Sequence, residues 1–254
     1  MKHVALIGAG PGAADLITLR GMRFIQAADC ILHDALVSEE LLAMAPQAVK
    51  IAVGKRCGKQ STAQHFINKM LVDAAKKYPR VVRLKGGDPM VFGRADEEMT
   101  ALREAGIEFE VVPGITTALA AASELQASLT LRGVSRSVAL LTPSVGHGET
   151  PHAVAESVPG ADTLVVYMGL KQAAVWAQGL LDAGRAASMP VIVAESVSLP
   201  HQQFTALSLG ELVAFANSAE REGPCLILIG EAMAAAAERV QGENYWTSLR
   251  SGAR

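Results

Sequence analysis

The sequence predicts an α/β fold built as two α/β domains with mostly parallel sheets. Short apolar runs rich in Val, Ile and Leu alternate with longer helix-patterned segments, the signature of strands joined through helices. Most of these runs are continuously apolar instead of alternating, as expected where helices cover both faces of a sheet. The strand candidates also fall into two sets, with a break in the pattern near residues 126–137.

In chain order, the first set of strands is expected at residues 4–8, 30–33, 49–53, 81–84 and 109–112. The second is expected at 138–142, 163–168, 191–194, 204–207 and 225–229. Helical periodicity marks residues 63–77, 94–105, 116–125, 171–183 and 209–221. The alanine-rich stretch 232–237 reads as a surface helix, and the tail from Gly242 as frayed. The domains are expected at 1–126 and 127–245, followed by a tail at 246–254. The glycine-rich loops of the first half have no copies in the second, so the halves do not read as a tandem duplication.

Composition removes several classes of function. Half of the residues are hydrophobic and 19% are charged, which excludes a disordered chain. A net charge of −2 and 4% aromatic residues give no footprint for nucleic acid. Cys30, Cys57 and Cys225 are widely spaced, matching neither a disulfide framework nor a zinc site, and no metal is expected. The chain opens directly into a strand-like run, and its longest uncharged stretch is too short to span a bilayer. A soluble, cytoplasmic protein is expected.

Three unusual loops share one placement, each directly after a predicted strand: Gly8-Ala9-Gly10-Pro11-Gly12, Gly86-Gly87-Asp88-Pro89 and Pro113-Gly114-Ile115-Thr116-Thr117. In an open parallel sheet such loops project from the carboxyl ends of the strands, where ligands bind. The first partly matches a dinucleotide fingerprint, with Gly8, Gly10 and Ala13 in GxGxxA spacing and Asp34 where a ribose-binding acid belongs. That pattern favours a nicotinamide cofactor. Pro11 points the other way, because it removes an N–H that a pyrophosphate cradle would use. S-adenosyl-L-methionine carries adenosine without phosphate and would not miss that donor. On the residues alone the two cofactors stand close.

The run Val4-Ala5-Leu6-Ile7-Gly8-Ala9-Gly10-Pro11-Gly12, followed by Leu19-Arg20-Gly21, resembles the amino terminus of the uroporphyrinogen-III C-methyltransferases. The resemblance continues through His33-Asp34-Ala35-Leu36-Val37-Ser38, Val53-Gly54-Lys55-Arg56 and Val81-Val82-Arg83-Leu84-Lys85-Gly86-Gly87-Asp88-Pro89. It extends to Phe92-Gly93-Arg94, Val111-Val112-Pro113-Gly114-Ile115-Thr116, Tyr167-Met168-Gly169 and Gly223-Pro224. The RLKGGDP-x-x-FGR segment is the specific part. The resemblance implies a tetrapyrrole methyltransferase-like fold, an active site in the inter-domain cleft, and a homodimer. It implies methylation of uroporphyrinogen III at C2 and C7 to precorrin-2, with S-adenosyl-L-methionine consumed and S-adenosyl-L-homocysteine released. Cofactor contacts then fall on Pro11, Gly86, Gly87, Asp88, Val91, Thr116, Thr117 and Met168, with Val197 and Cys225 as weaker additions. Asp34 and Lys55 take the places of the proton acceptor and donor, Arg94 and Glu97 correspond to residues proposed to help catalysis, and Arg94 stands as the alternative to Asp34 as the base. The sequence departs from the family pattern at Leu131, where a histidine is usual, and at Ala13, His33, Ala95, Asp96 and residues 142–144.

Plainer roles stand beside these. Asp34 fits a helix cap, Arg94 an ion pair with Glu97 or Glu98, and Met168 a core position. Lys55, Arg56 and Lys59 fit a solvated run. Arg83 and Lys85 share one face of a strand, where lysine commonly marks a rim. His147 and His152 read as loop residues. The cations Lys55, Arg56, Arg83, Arg94 and Arg132 are expected to grip the carboxylates of the substrate.

Overall fold

Residues 3–53, 64–144, 160–217 and 223–242 are described in the computed structural model. The chain divides into two units, Met1–Ala120 and Ala121–Arg254. In the first, β1 (His3–Gly8), β2 (Cys30–His33), β3 (Val49–Ala52), β4 (Arg80–Lys85) and β5 (Glu108–Val112) form one sheet in the order β3-β2-β4-β1-β5. Every pairing in it is parallel. Strand side chains alternate between faces, so each strand contributes to two cores. Ala5, Ile7, Ile31, Val82 and Leu84 pack on α1 (Leu19–Ala27) and α2 (Glu39–Ala43). Val4, Leu6, Cys30, Leu32 and Val81 pack on α3 (Gln64–Lys77) and α4 (Ala95–Glu104). Both faces are covered, which is why β1 and β2 are apolar almost throughout.

α1 and α2 are not foreshadowed by the apolar periodicity, yet both carry a legible start. The Thr18 hydroxyl accepts the N–H of Gly21, and the Ser38 hydroxyl accepts that of Leu41. α1 is then fixed by fully buried Ile25, a residue type whose burial stabilises by about 1.5–3 kcal/mol. α5 (Thr117–Glu124) follows β5, and the division between the units falls within it.

The second unit holds β6 (Val138–Leu141), β7 (Thr163–Tyr167), β8 (Pro190–Glu195), β9 (Gln203–Ser208) and β10 (Cys225–Ile229), in the order β6-β7-β10-β8-β9. All ten expected strands are present and the α/β class holds, but this sheet is mixed, not mostly parallel. Only β6 and β7 run parallel, while β10 opposes both β7 and β8, and β9 opposes β8. The connection explains part of this: β8 reaches β9 through residues 196–202, which turn on hydrogen bonds from Leu199 N–H to Ser196 and from Gln202 N–H to Leu199. A parallel return needs a crossover of a dozen residues or more. α6 (Ala173–Asp182), α7 (Leu209–Asn217) and α8 (Ala234–Gln241) complete the described part.

The alanine-rich segment leads into a helix with one face buried and with Ala235 and Glu238 exposed. Ala232, Met233, Ala236 and Ala237 are buried, and α8 packs on β8 and β9. Small side chains let a helix approach a sheet closely, so an alanine stripe here is a packing face. Among the described residues no helix is long and apolar enough to cross a membrane.

Candidate active site

Strand order makes the three glycine loops neighbours. They follow β4, β1 and β5, which lie side by side, so all three leave the same carboxyl edge at adjacent positions. Asp34 follows β2, the next strand beyond β4.

Backbone contacts then lock the loops together. Gly10 and Gly87 form an isolated bridge: Gly87 N–H donates to Gly10 at 2.7 Å and Gly10 N–H to Gly87 at 3.2 Å. Gly8 and Gly114 meet backbone to backbone; a Cβ on Gly114 would lie 2.3 Å from the Gly87 oxygen and 2.7 Å from Gly8 Cα. No side chain fits there. Asp88 ties the second loop to the third, since its carboxylate accepts the N–H of Gly114 at 2.9 Å and that of Met90 at 2.8 Å. Gly86 and Gly87 differ from Gly8 and Gly114. A Cβ on them would meet only Leu36 Cβ at 3.8 Å or Thr116 Cα at 4.0 Å, so their backbone faces a space that a ligand can enter.

The same hydrogen bonds bear on the ligand. Ala9 N–H donates to the Lys85 carbonyl at 2.7 Å, Gly10 N–H is used in the bridge, and Pro11 has none. Three consecutive positions of the first loop therefore offer no amide to a phosphate, which removes the basis of a dinucleotide cradle. What the rim presents instead is half-buried backbone at Gly86 and Gly87, the Asp88 carboxylate, Val91, and the threonines Thr116 and Thr117 where α5 begins. This donor set fits an adenosyl amino acid, which needs hydroxyl, amide and ammonium partners and no anion hole.

In the second unit, β10 runs antiparallel between β7 and β8, so its start meets their ends. Cys225 pairs with Glu195, and Leu226 with Tyr167. Met168, Val197 and Cys225 thus share one edge of the second sheet. Met168 takes a left-handed φ of 53° and is 55% exposed, so it is not a core residue. Val197 is buried between Ser196 and Ser198, which have φ of 51° and 66°.

Beside the loops lies a buried chain of charges that the sequence reading did not find. Arg83 and Lys85 are 2% and 3% exposed, and Glu98 of α4 is fully buried. Glu98 accepts Arg83 Nε at 2.8 Å and Lys85 Nζ at 3.0 Å, while Arg83 Nη2 reaches Asp34 at 2.5 Å. Lys85 is therefore not a rim lysine, because β4 is the central strand. Nor does Arg83 grip substrate, since its three nitrogens are already engaged by Glu98, the Leu84 carbonyl and Asp34. Asp34 does not cap α2, a task Ser38 performs; its side chain is 31% exposed, with one oxygen on Arg83 and the other accepting the Gly86 N–H at 3.4 Å. Burial, the largest influence, and the neighbouring Arg83 push the Lys85 ammonium below its ordinary pKa against the pull of Glu98 and Asp34. Burial also opposes the charge on Arg83, but Asp34 and Glu98 together outweigh it and raise its pKa. A signal existed: Glu98 lies in the same helical stripe as buried Ala95, Met99 and Leu102. A carboxylate on such a stripe, facing two cations of a central strand, calls for pairing.

Arg94 takes the left-handed conformation at the start of α4, and its guanidinium holds Glu97 through two hydrogen bonds of 2.7 and 3.0 Å. The pair is exposed, so it contributes at most about 1 kcal/mol and can be exchanged for a ligand carboxylate. Lys55, Arg56, Lys59, His147, His152 and the tail lie outside the described residues. Among the described residues, no three or more His, Cys, Asp or Glu side chains converge as a metal site.

Comparison with known proteins decides the family. The profile of the tetrapyrrole (corrin/porphyrin) methylases matches residues 3–213. The chain belongs to the tetrapyrrole methylases. Within them it is 41% identical to the uroporphyrinogen-III C-methyltransferase of Pseudomonas aeruginosa, over 90% of this chain and 93% of that one. It is also 41% identical to a siroheme synthase of a Psychrobacter species, over 90% of this chain and 47% of the relative. The chain spans about half the length of the siroheme synthases it matches. Among solved tetrapyrrole methylases, the uroporphyrin-III C-methyl transferase of Thermus thermophilus complexed with S-adenyl homocysteine superposes with a TM-score of 0.80. That match has 36% identity over 92% of this chain and 99% of that one.

Proposed function

We propose that this tetrapyrrole methylase transfers methyl groups from S-adenosyl-L-methionine to C2 and C7 of uroporphyrinogen III, giving precorrin-2 and S-adenosyl-L-homocysteine. The observation that carries the reading is the rim of the first sheet. Three interlocked loops leave the Gly86 and Gly87 backbone open while withholding every amide that a phosphate would need from Ala9 to Pro11. The likeness to relatives named for this substrate supports the choice of acceptor.

When bound, the cofactor supplies a methyl group already activated on a sulfonium. The protein's task is then chiefly placement, which can supply much of the acceleration when two reactants are held in line. Pro11, Gly86, Gly87, Asp88, Val91, Thr116 and Thr117 are assigned to the cofactor, with Met168, Val197 and Cys225 as contributions from the second sheet. Asp34 is assigned as the base that accepts a proton once the new carbon–carbon bond has formed, and Lys55 as the proton donor. Arg94, released from Glu97, is assigned to a substrate carboxylate. The working form is a homodimer in the cytoplasm.

Calorimetry with S-adenosyl-L-homocysteine, followed by mass analysis of the tetrapyrrole product, tests this reading. Binding and a product carrying two added methyl groups are expected. Absence of binding, or unmodified uroporphyrinogen III, overturns it. Arg94→Ala should lower turnover about tenfold or more while leaving the affinity for S-adenosyl-L-homocysteine nearly intact.

A further inference from the structure

We infer that Glu98 is a positioning residue of the reaction: from the buried face of α4 it holds the Arg83 guanidinium so that its Nη2 is aimed at Asp34. The inference rests on the assignment of Asp34 as the base.

The geometry is specific. Arg83 is fixed at three points: Nε on Glu98 at 2.8 Å, Nη1 on the Leu84 carbonyl at 3.1 Å, and Nη2 on Asp34 at 2.5 Å. Two of these anchors lie inside the core, and only the third reaches a partly exposed side chain. A planar guanidinium held at Nε and Nη1 presents Nη2 in a single direction. Glu98 is itself held by Lys85, whose ammonium touches both carboxylate oxygens at 3.0 Å, and by Gln64 at 3.4 Å.

The charges balance as two cations against two anions. Packing alone does not call for them, because a buried ion pair can be exchanged for apolar residues of similar size at little cost to stability. What apolar residues could not do is orient Asp34. A base that moves a proton must keep its oxygen within hydrogen-bond reach of a defined atom, and such side chains depend on a supporting layer behind them. Asp34 sits just past the end of β2, and its side chain is partly exposed. Arg83 and the Gly86 N–H take one oxygen each and hold it in place.

The test is a charge-neutral exchange, Lys85→Met together with Glu98→Leu, which removes the clamp but leaves the Arg83–Asp34 pair. With uroporphyrinogen III as substrate, kcat should fall about tenfold or more. KM and the affinity for S-adenosyl-L-homocysteine should stay within about threefold. The same exchange made on Asp34→Asn should cost little further, because the two changes act through one group. Lys85→Met with Glu98→Gln, which is also charge-neutral and whose oxygen can still accept from Arg83 Nε, should retain most of the turnover. If the exchanged protein does not fold by circular dichroism, Arg83→Lys replaces it; a point charge cannot span Glu98 and Asp34, and the same selective loss of kcat is expected. Unchanged kcat in a folded clamp variant, with Asp34→Asn impaired, overturns the inference and leaves the base assignment standing. Losses that add to that of Asp34→Asn, or that fall equally on kcat, KM and cofactor affinity, also overturn it. Full turnover in Asp34→Asn overturns the base assignment and this inference with it.

Discussion

The two sheets have five strands each and cover them with helices, yet they bury different chemistry. The first is wholly parallel and hides two full cations and a carboxylate against its central strand. The second is mixed, and among the described residues its buried polar residues carry hydroxyls: those of Ser135 and Thr163 lie 2.8 Å apart, one donating to the other, and each is 2.9 Å from the Leu129 carbonyl. Hydroxyls satisfied by a carbonyl knit a loop to a strand and need no further explanation. Buried charges are costly unless fully paired, so the first sheet carries a feature that stability alone does not require. The same sheet carries the interlocked glycine rim. Its order brings the ends of β4, β1 and β5 side by side, whereas the second sheet offers one edge lined by Met168, Val197 and Cys225.

Removing one partner from each buried group should expose this difference most strongly. Glu98→Ala strands Arg83 and Lys85 with Asp34 as their only carboxylate partner, and is expected to cost about 3–5 kcal/mol in urea unfolding. Thr163→Val in the second unit should cost about 1–2 kcal/mol, because only neutral hydrogen bonds, to Ser135 and Leu129, are lost. Equal losses would dissolve the contrast between the sheets.

A smaller effect on stability, and a sharper one on binding, is expected from Gly114→Ala. Its Cβ would collide with backbone, so the first and third loops must separate. About 1–3 kcal/mol of stability should be lost, together with calorimetric binding of S-adenosyl-L-homocysteine. Gly133→Ala serves as the reference in the second unit: its φ of 83° is unfavourable for alanine, but nothing lies within 4 Å. It should lose only about 1–2 kcal/mol and no binding.

The smallest effect concerns acid. Asp162 in the second unit is held below the ordinary carboxylate pKa by the backbone N–H of Arg136, then by the hydroxyl and N–H of Ser137. A depressed carboxyl contributes stability above its unfolded pKa of 3.8, and loses it as the pH falls through the lower folded value. Asp162→Asn should therefore be less stable than the parent near pH 6 and approach it on strong acidification. A gap that widens in acid would contradict this sign.

Much of the molecule could be read along the chain. Apolar runs located every strand among the described residues, and glycines after three of them located the rim, because strand propensity and tight turns are decided by neighbouring residues. Pro11 argued against a phosphate, and the Ala9 and Gly10 hydrogen bonds supplied the rest of that argument. Other features were out of reach. Lys85 looked like a rim residue because no local pattern gives strand order, and only the place of β4 in the middle of the sheet buries it. The turn between β8 and β9 reversed an expected parallel pairing. The stripe on α4 hinted at Glu98 without naming its partners.

By itself, then, the sequence determined the described strands, the α/β class, the place of the glycine loops and a family resemblance. The tertiary structure alone decided strand order, the mixed second sheet, and the meeting of Asp34, Arg83, Lys85 and Glu98. The division has a physical reason. Local conformation follows from side chains a few residues apart, whereas Arg83 meets Asp34 across 49 positions of chain. Such a contact exists only once packing has chosen which strands lie side by side.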